Sequence, residues 1–160
     1  MVIEREEKLL ARMEIDESAM RENYRAVQGL LAPGCRMICV VKADAYGLGL
    51  LPVARILAEE GCRHFAVATA SEGVELRQGG IGGEVLVLGS IPLRLAGELV
   101  GRELSATCGD MELARHLRQA AASAGRRARV HLKVDTGLGR IGFFPEEVIP
   151  AAREILSWAE

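Results

Sequence analysis

Short apolar runs alternate with amphipathic segments from Met37 onward, and no other feature of the chain restricts its fold so strongly. MICVVKA reads as a strand and LPVARILAEEG as a helix closed by Gly61. HFAVAT leads into SEGVELRQGG, EVLVLG into PLRLAGELVG, LSATCG into DMELARHLRQAAASAG, and ARVHLKVDTG into FPEEVIPAAREILSWAE. Strands that are short and apolar at nearly every position are strands covered on both faces. Their regular exchange with helices through short connections dictates a parallel sheet and the α/β class. A doubly wound sheet and a barrel both satisfy this pattern.

Local signals support these boundaries. Upstream of the alternation, Asp16-Glu17-Ser18 precedes AMRENYRAVQGLLA, in which Met20, Tyr24, Val27, Leu30 and Leu31 recur at helical spacing until Pro33-Gly34. Pro52 and Pro92 fall near helix starts, where a missing N–H costs little. Asp110 and Ser71 suit N-cap positions, and Gly61, Gly79, Gly101 and Gly125 suit helix ends. No linker, low-complexity segment or second domain is visible, so residues 1–160 are expected to form one domain. The chain offers about five βα units, whereas a closed (β/α)8 barrel needs eight and typically ~250 residues. Its last helix reaches Glu160 without a stop signal, so the pattern is expected to be interrupted there.

Composition narrows the function. Aromatic residues make up only 4% of the chain, too few for base-stacking platforms. A net charge of −2 supplies no basic field for nucleic acid or anionic membrane. The charged start MVIEREEKLLARMEID lacks the apolar core of a secretory signal, and runs such as Met37 to Val41 are far too short to span a bilayer. Cys35, Cys39, Cys62 and Cys108 form no CxxC pair and have no histidine at zinc-ligand spacing, so no metal site is expected. They read as small buried hydrophobes in a reducing compartment. A cytoplasmic protein with a small-molecule or protein partner is the expectation.

Lysine is scarce. Of 20 basic residues, 17 are arginine, leaving Lys8, Lys42 and Lys133. A position that demands lysine demands its amine, because lysine loses its proton when buried and arginine does not. Lys42 stands where the ICVV run ends, and in parallel α/β folds the carboxyl ends of the strands carry the active site. An amine held there beside apolar walls can act as a nucleophile toward a carbonyl group. Tyr46 follows four residues later, in a loop with Gly47 and Gly49, within reach of a phosphate. The competing description, a strand-end lysine whose head reaches water, fits the pattern better when this segment is read alone.

In VHLKVDTGLGRIGF, Val130, Leu132 and Val134 alternate with His131, Lys133 and Asp135, so one strand face carries three polar groups. Burial of Lys133 would need a partner, and Asp135 and Arg140 are near enough in sequence to shape its surroundings. The glycines let backbone approach a ligand, and Arg140 offers a fork for a carboxylate or phosphate. The segment is neither a GxxxxGK[ST] loop nor a GxGxxG that opens a helix. A half-exposed edge strand with a glycine turn also accounts for it. Remaining polar residues carry less: His64 and His116 suit surface or helix-end positions, and His131 a satisfied strand histidine. Glu72, Glu75 and Arg77 suit a solvated helix face, and Arg126, Arg127 and Arg129 a solvated turn.

Taken together, VVKADAYG and HLKVDTGLGRIGF resemble the two N-terminal signature segments of the alanine racemases, in order and in spacing. MEIDESAMRENYRAV is similar to that family's opening strand and first helix, and SEGVELRQGGIGGEVLVLG to its second helix and third strand. Leu48 and Leu138 depart from the histidine and methionine usual in these motifs. The resemblance implies a pyridoxal 5′-phosphate (PLP)-dependent isomerase that interconverts L- and D-alanine, supplying D-alanine for the cell wall. It implies a PLP-binding (β/α)8 TIM barrel followed by a β-rich domain, in a homodimer. This chain would then be a partial barrel with a parallel sheet, and the β-rich domain would be absent. By the same resemblance Lys42 holds PLP and acts as one of two acid/base groups, and Tyr46 bonds the cofactor phosphate. Lys133 matches a lysine often carboxylated to an anion, which positions Arg140 near the pyridoxal oxygen and the substrate carboxylate. A truncated product and one piece of a split enzyme both fit, each with little activity alone. The alternatives are a racemase of serine or broad specificity, and a non-catalytic PLP- or partner-binding module that associates through open sheet edges.

Overall fold

The computed structural model describes residues 13–158. Helix α1 (Glu17–Gly29) starts where the Asp16 carboxylate accepts the Ala19 N–H, which satisfies one of the donors a helix start leaves open. It ends at Gly29, before the Pro33-Gly34 stop expected from sequence. Five parallel strands follow: β1 (Cys39–Val40), β2 (His64–Val67), β3 (Glu84–Val87), β4 (Ser105–Cys108) and β5 (Arg129–Leu132). Between β1 and β2 lie a single helical turn, α2 (Lys42–Gly47), and helix α3 (Leu50–Glu59). Helix α4 (Ala70–Gln78) joins β2 to β3, α5 (Ala96–Gly101) joins β3 to β4, and α6 (Met111–Ala124) joins β4 to β5. Helix α7 (Pro145–Ser157) comes last, with Pro145 at its first position and Arg118 of α6 stacked 4.9 Å above Trp158 at its end.

The strand order β1-β2-β3-β4-β5 follows the chain without reversal. Right-handed crossovers combined with an unreversed order place every helix on one face of the sheet, as in a barrel wall. A doubly wound sheet would reverse its order and cover both faces. That removes one of the two architectures the pattern allows. Five strands do not close, so the wall is open at β1 and β5.

Residue alternation separates the two faces. Phe65, Val67, Val85, Val87 and Cys108 are buried in the helix-side core with Leu76, Leu99, Leu113 and Leu117. The opposite row pairs Val40 with Ala66, Ala66 with Leu86, Leu86 with Ser105, and Ser105 with Arg129. Its centre is buried, but at the open edges Val40 is 40% exposed and Arg129 is exposed. Cys62 and Cys108 are buried and Cys39 is half-buried, whereas Cys35 is exposed and departs from the expected pattern.

Two further expectations change. Met13–Asp16 pairs with no strand, so the family-like opening strand does not form within the described residues. Helix α4 is capped by Thr69 and not Ser71: the Thr69 hydroxyl accepts the Glu72 N–H at 3.3 Å, and the Glu72 carboxylate accepts the Thr69 N–H at 3.0 Å. This is the reciprocal capping box that Thr-x-x-Glu encodes. Arg77, expected on a solvated face, donates to the carbonyls of Ile81, Gly83, Arg102 and Glu103, and ties α4 to the loops beneath it.

Candidate active site

Lys42 follows the end of β1. The preceding residue, Val41, is buried and donates its N–H to the Ala66 carbonyl at 2.8 Å, which extends the β1–β2 pairing to the base of the lysine. The chain then does something the sequence does not announce. Ala43, Asp44, Ala45 and Tyr46 have φ of 53°, 54°, 51° and 59°, with ψ of 53°, 46°, 46° and 32°. These four residues form one turn of left-handed helix. For L-residues each such conformation costs roughly 1–2 kcal/mol, so a run of them persists only where its surroundings over-determine it.

The surroundings here are specific. The Ala45 N–H donates to Val41 O at 2.9 Å, the Gly49 N–H to Asp44 O at 2.9 Å, and the Leu50 N–H to the Asp44 carboxylate at 2.6 Å. Ala45 is packed into the core. From the neighbouring strand exit, one oxygen of Glu72 accepts the Ala43 N–H at 2.6 Å, and the other accepts the N–H groups of Ala68 and Thr69 at 2.8 and 3.0 Å. Burial pushes the Glu72 carboxyl upward, but the N–H groups of Thr69, Ala43 and Ala68 together outweigh it and hold the group below its ordinary range. Glu72 is therefore no solvated face residue. Its Thr69-x-x-Glu72 spacing is a readable helix-start signal, while its reach to Ala43 is not.

The second segment leaves the opposite edge of the sheet. The Lys133 N–H continues the pairing of β5 with β4 by donating to Cys108 O at 2.8 Å. The chain then loops out and returns, with the Phe143 N–H donating to Lys133 O at 2.8 Å and the Asp135 N–H to Phe143 O at 2.9 Å. Inside the loop the Asp135 carboxylate accepts the N–H groups of Gly137 and Gly139 at 3.0 and 3.1 Å. Those bonds, with Gly139 foremost, hold the Asp135 carboxyl below its ordinary value. Asp135 thus shapes the loop backbone and is no partner for the Lys133 amine. Lys133 itself is exposed and donates to the Val134 carbonyl at 3.3 Å.

Lys42 and Tyr46 accordingly stand at one edge of the sheet, and Lys133 and Arg140 at the other. Four strand spacings separate the edges, roughly 19 Å along the sheet at ~4.8 Å per spacing. Both pairs lie at the carboxyl ends of the strands, the end that carries chemistry in barrels. Among the described residues, no hydrogen bond or ion pair engages the Lys42 amine, the Tyr46 hydroxyl or the Arg140 guanidinium. At the β1 edge the unengaged amine and hydroxyl suit a ligand that carries a carbonyl and an anionic group, and at the β5 edge the unengaged guanidinium suits an anion.

Two of the three histidines gather elsewhere. His131 Nε2 lies 2.9 Å from Glu84 Oε1, Ser105 donates its hydroxyl to the same oxygen at 3.1 Å, and His64 Nε2 is 4.0 Å from the other oxygen. Glu84 and His64 open their strands, so this cluster sits toward the amino-terminal end of the sheet, away from Lys42. His131 is a satisfied strand histidine. His116 sits on α6 with its Nδ1 2.9 Å from the Glu112 carbonyl.

An open parallel βα wall with a lysine at the end of its first strand defines the front part of a barrel enzyme. Comparison with known proteins gives the family. The alanine racemase N-terminal domain model matches residues 15–159. An alanine racemase of Geobacter sulfurreducens is 45% identical over 134 residues, which is 84% of this chain and 35% of that protein. The structure of an alanine racemase of Clostridium difficile superposes with a TM-score of 0.84 at 36% identity, covering 88% of this chain and 37% of the other. A histidine racemase of Leuconostoc mesenteroides superposes with a TM-score of 0.77 at 30% identity, covering 88% and 38%. The chain belongs to the alanine racemase N-terminal domain family, a family of isomerases, and spans little more than a third of the length of these relatives. Among the described residues no helix is long and apolar enough to cross a membrane.

Proposed function

We propose that this chain is the cofactor-holding part of a PLP-dependent alanine racemase, with Lys42 as the cofactor lysine. The carrying observation is the unengaged Lys42 amine at the carboxyl end of β1, leading into a rigid left-handed turn that also bears Tyr46. When bound, PLP delocalises the charge left on the substrate Cα as its proton departs. The protein's share is placement and proton handling. Lys42 would hold the cofactor between turnovers and, once the substrate amine has displaced it, its freed amine would take or return the Cα proton on one face, while the Tyr46 hydroxyl would bond the phosphate. Arg140 offers its fork to the substrate carboxylate and the pyridoxal oxygen. Lys133, made anionic by adding CO2 to its amine with loss of a proton, would position Arg140, and the two would come to face Lys42 once further strands close the wall.

That last condition defines the domain reading. Residues 1–160 form an incomplete barrel domain, completed in the working cytoplasmic homodimer by further strands and a β-rich domain. The product of the reaction, D-alanine, serves the cell wall. The histidine racemase neighbour favours a second reading, in which the same front wall serves a racemase of another amino acid, since the side-chain pocket is then built mainly by what completes the barrel.

The test is to incubate the purified chain with PLP, reduce with borohydride and locate the adduct by peptide mass. The expected result is labelling of Lys42 in preference to Lys8 and Lys133, abolished in Lys42→Ala, with little racemisation of alanine, serine or histidine by the chain alone. Label spread evenly over the lysines would sink the assignment of Lys42. Rapid racemisation by the isolated chain, lost in Lys42→Ala, would sink the incomplete-domain reading.

A further inference from the structure

Glu72 lies on no reacting path, yet its carboxylate joins the exits of two adjacent strands. One oxygen takes the Ala43 N–H, immediately after Lys42, and the other takes the N–H groups that lead from β2 into α4. An ordinary capping-box glutamate has a single task, the return bond to the N-cap N–H. This one adds a bond across 29 residues to the first residue of the left-handed turn. An isolated Ala43 would leave this conformation, and Glu72 is the only side chain outside the turn that bonds its backbone among the described residues.

We propose that Glu72 is a positioning residue for Lys42: by accepting the Ala43 N–H it holds the turn left-handed and thereby sets where the amine stands. This rests on Lys42 being the cofactor lysine, and it adds a residue outside both signature segments. Three backbone N–H groups and the Thr69 hydroxyl donate to its two oxygens, so the geometry calls for a carboxylate. A glutamine presents one acceptor and an NH2 group, and keeps the Ala43 bond or the Ala68/Thr69 bonds, but not both.

The test compares Glu72→Ala, Glu72→Gln and Thr69→Ala in the full 160-residue chain. Thr69→Ala removes the hydroxyl half of the same capping box and leaves the arm to Ala43 intact, so it reports the cost of helix capping alone. Two readouts are taken: hydrogen exchange of the Ala43 amide without cofactor, and the ratio of Lys42 to Lys133 adduct after PLP and borohydride. In Glu72→Ala, Ala43 exchange is expected to rise by about tenfold or more and the Lys42 preference to fall by several-fold, with Glu72→Gln between and Thr69→Ala like the unsubstituted chain. The proposal is overturned if Glu72→Ala leaves both readouts unchanged, or if Thr69→Ala moves them equally. A Lys42 preference that survives in Glu72→Ala defeats the positioning role while leaving the cofactor reading intact. An unsubstituted chain with no Lys42 preference defeats the cofactor reading itself, and the positioning role with it.

Discussion

Glu84 and His131 meet at 2.9 Å although 47 residues separate them, because β4 holds β3 and β5 at a fixed distance and carries Ser105 between them. The hydrogen bond from His131 holds the Glu84 carboxyl below its ordinary value against partial burial, and Ser105 adds to it. A carboxyl lowered in the folded state stabilises fully above its unfolded value and loses that contribution as pH falls through the folded one. Both side chains are partly exposed, so screening keeps the contribution small. Glu84→Gln is expected to cost under about 1 kcal/mol at pH 7 in urea titrations. The two proteins should converge only once pH has fallen past the ordinary carboxyl range and through the lowered folded value of Glu84. A gap that persists there would place the effect in packing and not in charge.

The handedness of the Lys42 turn can be read from one exposed alanine. In a right-handed helix, alanine to glycine costs roughly 0.5–1 kcal/mol. At Ala43, φ 53°, the relief of roughly 1–2 kcal/mol of left-handed strain exceeds that entropy. Ala43→Gly is therefore expected to be neutral or to stabilise by up to about 1 kcal/mol. Ala43→Val should destabilise. Denaturant midpoints decide it, and a clear loss in the glycine variant would contradict a left-handed turn.

Glycine to alanine gives opposite signs at two places. Gly142 has φ 134°, and a Cβ there would lie 2.6 Å from the Asp135 nitrogen, inside the closure of the Lys133–Phe143 loop. Gly142→Ala should lower stability by roughly 1–3 kcal/mol. Gly97 lies in α5, and a methyl group added there would meet nothing within 4 Å. Gly97→Ala should raise stability by about 0.5–1 kcal/mol. Melting temperatures of the two variants should move in opposite directions.

Arg77 holds four carbonyls with one guanidinium, at 2.9 to 3.1 Å. A lysine cannot reproduce a planar fork with donors on three nitrogens. Arg77→Lys is expected to lose about 2 kcal/mol, since several carbonyls lose their partner at once. The same change at exposed Arg127 should stay within about 0.5 kcal/mol. Equal midpoints for the two variants would show that the Arg77 network adds nothing.

Periodicity is enough to read the wall of this fold, because each strand is covered by the helix that follows it and both patterns survive in short windows. The reading of Lys42 and Arg140 as chemistry-bearing residues, which remains a proposal, comes only from the two motifs taken together. What stays hidden is set by tertiary partners. Nothing in KADAY marks a left-handed turn, since alanine, aspartate and tyrosine all favour right-handed backbone, and it takes the bonds from Glu72, Val41, Gly49 and Leu50 with the burial of Ala45 to reverse the preference. Asp135 looks like a counter-ion for Lys133 from its spacing, but the loop's own N–H groups claim it first. Met13–Asp16 forms no strand because no partner strand lies beside it among the described residues.

A right-handed helix that gains a residue simply runs one step further, and its neighbours adjust. The turn after Lys42 has no such freedom: another L-residue in the mirror-image sense adds a full steric cost and has no second carboxylate to offset it. The segment from Lys42 to Tyr46 is thus a gauge of fixed length. An insertion or deletion there is therefore expected to cost more than in an ordinary loop, so the spacing between amine and hydroxyl is set by the handedness of the turn.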